Sequence, residues 1–283
     1  MTPDPAKAAR ELLEFYAEAG VDTAVGEEPV DRFADPAPLP SVDWTAGAAA
    51  QPPAAAPPRP SARLSEPPAA FAAAPPAAAA PLAPDTAVMA AREAARSATS
   101  LEELKAILAR FEGCALRTTA TRLVFADGNP AARLMLVGEA PGYEEDRQGL
   151  PFVGRSGQLL DRMLHAIGID RTAVYIANVV PWRPPGNRTP TPQETQICLP
   201  FIRRQIELAD PDVLVCLGGP SMQTLLEVKD GIMKMRGRWM PYHTGSREIR
   251  AMATLHPAYL LRQPLAKRLA WRDFLAIRKA LAG

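Results

Sequence analysis

The sequence predicts an α/β fold in which helices cover both faces of a four-stranded parallel sheet, preceded by a disordered Pro/Ala-rich N-terminal arm. Three observations lead there. Four short apolar runs read as strands buried on both faces, helical periodicity fills the intervals between them, and the composition changes sharply near residue 85.

Taken in order, residues 1–35 contain one short helical pattern, with Ala8, Leu12, Phe15, Tyr16 and Ala19 spaced along Asp4 to Val21. An isolated helix of that length is marginal in water. It reads either as a docking helix, folding on a protein partner or on its own domain, or as a solvated tail. Residues 36–84 hold 14 Pro and 19 Ala. Pro withholds backbone hydrogen bonds and Ala has little surface to bury, so this stretch reads as a disordered linker, partly polyproline II. The globular domain is expected over 85–283. A helix is predicted over Thr86 to Arg110. The run Leu134-Met135-Leu136-Val137 is the first strand, stopped by the turn Gly138-Glu139-Ala140-Pro141-Gly142. Leu159, Leu160, Met163, Leu164 and Ile167 mark a helix ending at Gly168. Val174 to Val180 is the second strand, stopped by Pro181. Thr191, Pro192 and Glu194 then signal a helix start with a capping box. Val213 to Leu217 is the third strand, with a helix after it to about Val228. Residues 229–248 are basic and read as a hairpin-like excursion. Ile249 to Leu255 is the fourth strand, and Pro264 to Ala282 the last helix.

Charge and cysteine content narrow the class. The formal charge of +1 hides 7 basic against 13 acidic residues in 1–100, and 25 against 18 in 101–283. A basic C-terminal part suits a polyanionic partner. Three Cys cannot form a disulfide framework, which argues for a reducing compartment. No apolar run approaches the ~20 residues of a membrane span, and the start of the chain lacks a basic-then-apolar leader. Secreted, membrane and fibrous classes are therefore set aside, and a cytoplasmic, nucleoid-associated monomer is expected.

In an open parallel sheet the ligand crevice lies beyond the carboxyl ends of the strands. The first strand leads to Glu139 and then Phe152, the second ends at Asn178 and leads to Arg183 and Arg188, and the fourth leads to His256, Leu261 and Arg262. Each has an ordinary alternative: Glu139 as a turn cap, Phe152 as core, Asn178 on a strand-end carbonyl, His256 as a turn residue. Together, a carboxylate, an aromatic ring, an amide and an imidazole on one edge suit a planar heterocycle on a phosphate backbone. His165, within a helix, and His243, in a polar loop, read as surface or packing residues. No His/Cys pair has zinc spacing and no Walker loop occurs.

The segments GEAPGYEEDRQGLPFVGRSGQLL, NVVPWRPPGNRTPTPQE and HPAYLL, in this order, resemble the motifs of family 4 uracil-DNA glycosylases over roughly residues 105–283. The resemblance implies a three-layer α/β/α sandwich around a four-stranded parallel sheet. It also implies hydrolysis of the N-glycosidic bond of flipped-out deoxyuridine, with uracil-containing DNA as partner. By motif position, Glu139 would polarise the attacking water, Phe152 would stack on the base, and Asn178 would read the uracil edge. His256 would donate to uracil O2, and Glu145 would crowd C5 and discourage thymine. The Leu260-Leu261-Arg262 stretch would wedge into the vacated stack, and Arg183 and Arg188 would lie along the DNA. The family commonly holds a [4Fe-4S] cluster on four Cys. Cys114 and Cys198 match two ligands, but Arg117 and Trp182 replace the others, so no cofactor is expected; Trp182 and Leu116 would brace the loops by packing. Two other readings stay open: a non-catalytic uracil- or abasic-site-binding protein, disfavoured because all four motif residues are present, and an interaction protein working through its arm.

Overall fold

The computed structural model describes residues 84–282. The expected docking helix and the Pro/Ala-rich linker lie outside the described residues. The domain opens with α1 (Pro84–Ser97), α2 (Leu101–Arg110) and the short α3 (Leu116–Thr119). There follow β1 (Asp127–Gly128), β2 (Leu134–Gly138), α4 (Tyr143–Gln148), α5 (Arg155–Ala166) and β3 (Tyr175–Asn178). Next come α6 (Pro192–Ala209), β4 (Val213–Leu217), α7 (Gly219–Leu226), α8 (Ile232–Met235) and β5 (Trp239–His243). The chain closes with β6 (Glu248–Thr254), α9 (Pro257–Arg262) and α10 (Lys267–Ala282).

The sheet runs β1-β3-β2-β4-β6-β5. Its central four strands are parallel, as expected; β1 and β5 pair antiparallel at the two edges and raise the total to six. Period-two alternation divides the apolar strand residues between two cores. Met135, Val137, Ala177, Leu214 and Cys216 face one side, while Leu136, Ile176, Val215, Leu217 and Met252 face the other. The first core is closed by α1, α2 and α6, the second by α5 and α10, giving three layers. Fully buried anchors such as Phe201 and Phe274 each contribute about 1.5–3 kcal/mol of apolar burial.

The expected single helix over 86–110 is two helices. Ser100 accepts a hydrogen bond from the Glu103 N–H (3.1 Å), and the Glu103 carboxylate accepts from the Thr99 N–H (2.7 Å). These two bonds, to Ser100 and from Thr99, start α2 afresh and break the run at Ala98 to Ser100. The start of α6 forms as expected, as a capping box in which the Glu194 N–H donates to Thr191 Oγ1 (3.2 Å) and the Thr191 N–H to the Glu194 carboxylate (2.7 Å). The excursion at 229–248 is a short helix and an antiparallel hairpin of β5 on β6.

Strand register decides what meets at the sheet's carboxyl edge. Gly138 lies opposite Asn178, and Leu217 opposite Thr254. The chain passes from β2 to β3 on one side, then crosses to β4 on the other, so the connections diverge around β2 and open a crevice there. Below the last turn, buried Asp273 of α10 accepts from Thr254 Oγ1 (2.6 Å) and pairs with Arg236, which ties α10 to the end of β6.

Candidate active site

A cleft of about 670 Å³ opens at this edge, and Glu139, Glu145, Phe152, Asn178 and His256 all line it. Its floor is backbone. A Cβ on Gly138 would stand 2.5 Å from Asn178 Oδ1 and 2.6 Å from Phe152 Cζ, so only glycine lets the amide and the ring approach this closely.

Glu139 follows directly on β2. Its Oε1 is buried with no hydrogen-bond partner among the described residues, and burial raises the carboxyl pKa above its ordinary value. Asn178 ends β3, buried, and its Oδ1 is likewise unpartnered. Two buried oxygens in one cleft without a protein partner call for a donor from outside the chain, a water or a ligand. Phe152 places its ring centroid 5.5 Å from that of His256. His256 caps α9, accepting from the Ala258 N–H through Nδ1 (3.1 Å). That bond assigns the ring proton to Nε2, leaving Nε2–H as a donor. Burial, with Arg262 nearby, pulls the imidazole down to about 4, so it is neutral near pH 7.

Glu145 lines the cleft, yet its oxygens accept from the N–H groups of Gly142 (3.1 Å), Val153 (3.0 Å) and Gly154 (2.9 Å). It staples the turn after β2 to the Phe152 turn, a bracing role that motif position alone did not reveal. Arg183 does not line the cleft; its Nε donates to Asn187 Oδ1 (2.7 Å), and its guanidinium lies 5.1 Å from the Tyr143 ring centroid. Arg188 does line it, held by a fork of two bonds to Glu194 (2.8 and 2.6 Å). Arg262 lines it and makes no ion pair among the described residues.

The wedge expectation needs correction at Leu260, which is fully buried with Leu159, Leu255 and Ala270. Leu261 is half-buried against the same cluster and does not line the cleft. Sequence reasoning missed Tyr259, Ile232 and Met233, which line the cleft, and Leu265, 86 % exposed in the turn before α10. The signal for Ile232 and Met233 was an apolar pair inside a basic excursion.

At the cluster positions, Cys114 and Cys198 are buried neighbours. A hydrogen bond between the two thiols holds the Cys114 pKa down and, together with burial, pushes that of Cys198 well up. Arg117 Nε donates to the Ala109 carbonyl (3.1 Å), and Trp182 and Leu116 are packed in the core. Cys216 is buried in β4, its thiol pushed up to about 12. Two sulfurs, a guanidinium and an indole do not match a four-thiolate centre. Among the described residues no group of three or more His, Cys, Asp or Glu could hold a metal ion.

An α/β/α sandwich whose switch-point cleft gathers a carboxylate, an amide, a flat ring and a neutral imidazole has the make-up of a small-ligand site. Residues 125–275 match the family described as the uracil DNA glycosylase superfamily, and the chain belongs to it. It is 46 % identical over 150 residues to the type-4 uracil-DNA glycosylase of Thermotoga maritima, covering 53 % of this chain and 77 % of that one. With the type-4 uracil-DNA glycosylase of Archaeoglobus fulgidus it shares 37 % identity over 182 residues, covering 63 % and 92 %. A type-5 uracil-DNA glycosylase of Thermus thermophilus is 33 % identical over 114 residues, covering 35 % and 52 %.

Proposed function

We infer that the chain is a uracil-DNA glycosylase that hydrolyses the N-glycosidic bond of flipped-out deoxyuridine, leaving an abasic site for base excision repair. One observation carries this reading: Glu139 Oε1 and Asn178 Oδ1 are both buried, without a partner among the described residues, in one cleft with Phe152 and His256. Uracil supplies what Asn178 lacks, and the attacking water what Glu139 lacks. Uracil N3–H can donate to Asn178 Oδ1 while O4 accepts from the same amide, and the face of the base can lie on Phe152. As the C1′–N1 bond breaks, its electron pair moves onto the base, and His256 Nε2–H donates to O2. Glu139 orients the water that adds to C1′ and accepts its proton. Phosphates are expected at Arg262 and Arg188. The test is a gel assay on an oligonucleotide with one uracil, followed by alkali cleavage. Base release supports an enzyme, whereas binding without release would make the chain a non-catalytic reader.

The pH dependence follows from the two titrating groups. Glu139 must be ionised, and burial raises its pKa above its ordinary value; His256 must be neutral and is so above about 4. Single-turnover rates should therefore fall as pH drops through a limb set by Glu139, with His256 protonating only at lower pH. The Glu139→Gln variant should be slow and lack that limb. A limb unchanged in Glu139→Gln would assign it to another group.

We also read the positions of Cys114, Arg117, Trp182 and Cys198 as a packed brace without a [4Fe-4S] cluster. Protein purified anaerobically is expected to carry no stoichiometric iron or sulfide; about four irons per chain would overturn this. No helix among the described residues is long and apolar enough to cross a membrane. The substrate would place the enzyme's work at the chromosome.

A further inference from the structure

Phe152 has φ +54°, in the left-handed region that non-glycine residues seldom occupy. Such a conformation persists only where its surroundings over-determine it. Arg171, in the single helical turn Arg171–Ala173 before β3, reaches across to this segment. Its Nη2 donates to the Pro151 carbonyl (2.6 Å) and its Nη1 to the Phe152 carbonyl (3.1 Å). Two carboxylates aim the guanidinium: Asp127 accepts from Nε (2.7 Å) and Asp161 from Nη1 (2.7 Å). The first turn of α5 also presses in at Gly157, where a Cβ would lie 1.8 Å from the Phe152 carbonyl oxygen. The peptide that carries the ring is thus held by a planar fork and packed closely on a glycine, while Arg171 itself does not line the cleft.

We propose that Arg171 is a positioning residue for base recognition: it holds the Phe152 backbone in its left-handed turn so that the ring stays flat against the incoming base. The inference rests on the stacking role given to Phe152 under the proposed function. A fork is needed because two carbonyls and two carboxylates must be met in one plane, and a lysine ammonium of equal charge cannot reproduce that. An arginine that only joined β1 to α5 would affect folding and every ligand alike. A positioning arginine affects the base and spares the rest of the DNA.

The test is a double-mutant cycle of Arg171→Lys and Phe152→Ala. The readouts are kcat/KM for uracil release, inhibition by free uracil, and binding of abasic-site DNA. Arg171→Lys is expected to lower kcat/KM on the order of ten- to a hundredfold, as misplacement of a reacting partner does. It should weaken inhibition by free uracil in parallel, leave abasic-DNA binding unchanged, and add nothing in the Phe152→Ala background. Wild-type uracil inhibition in Arg171→Lys, or an equal further loss on top of Phe152→Ala, would overturn the proposal. Should Arg171→Lys fail to fold, Asp161→Asn removes one of the two aiming carboxylates at a half-exposed position; it should show the same selective loss at smaller size, and wild-type uracil inhibition there would overturn the proposal too. Wild-type protein that releases no uracil would instead defeat the reading of the cleft. Active wild type with an indifferent Arg171 defeats only the clamp.

Discussion

Replacing His256 with Ala is expected to slow uracil release by about 10²–10³, because one preorganised donor aimed at developing negative charge is worth about 3–4 kcal/mol. The ring meets the conditions for that effect. It is neutral, its proton is assigned to Nε2 by the Ala258 N–H on Nδ1, and partial burial keeps water from competing. The loss should fall on kcat more than on KM, since the charge on O2 exists only as the bond breaks. The same substitution removes the side-chain cap of α9, a cost of about 1 kcal/mol in stability. His256→Asn retains a capping side chain and separates the two effects: it should recover the stability but little of the rate. Wild-type turnover in His256→Ala would remove His256 from the chemistry.

Asn178→Ala is expected to lower kcat/KM at least as far. The variant leaves uracil N3–H and O4 facing a buried surface with no partners, at about 1–3 kcal/mol for each unsatisfied group, or on the order of a thousandfold for both. Asn178→Asp is the sharper probe. A carboxylate can accept from N3–H but repels O4, so uracil should remain a poor substrate although the side chain keeps its size. Measured kcat/KM with uracil, set against unchanged thermal midpoints, decides the matter. Near-wild-type rates for Asn178→Asp would show that the amide does not read this edge.

The parts of the fold most legible in the sequence were those with local signals. The run Val213 to Leu217 is the observed β4 to the residue, because a strand buried on both faces must be continuously apolar. Thr191, Pro192 and Glu194 marked the start of α6 because a capping box is written within four residues. The break after α1 bears a similar signature in Ser100 and Glu103, hidden there because the apolar stripe runs through it. The edge strands were less legible: β1 was not read at all, and β5 only as part of a hairpin-like excursion over 229–248. β1 is only Asp127–Gly128, and β5 contains Pro241, tolerated because an edge strand has one side unpaired. In the cleft, Glu139, Phe152 and His256 could be picked out because each follows a predictable strand, and Asn178 because it lies near the end of one, two residues before the expected stop at Val180. What those side chains bond to was not. The three amides on Glu145, the inward turn of Leu260 and the reach of Arg171 from beyond α5 exist only once distant segments are packed together.

The fork between Arg188 and Glu194 bears on how the protein would travel along DNA. A phosphate arriving at Arg188 finds a guanidinium already neutralised, so contact there is an exchange of one anion for another and not a fresh attraction. The fork is bidentate and the Glu194 side chain only 13 % exposed, so the phosphate must compete with a well-held carboxylate. The exchange leaves the helix start whole, because Glu194 still accepts from the Thr191 N–H (2.7 Å) after its partner has left. On the proposed function, a cation on such a tether would grip undamaged duplex lightly. A searcher that must pass a great many normal nucleotides for each damaged one gains more from rapid release than from a tighter hold.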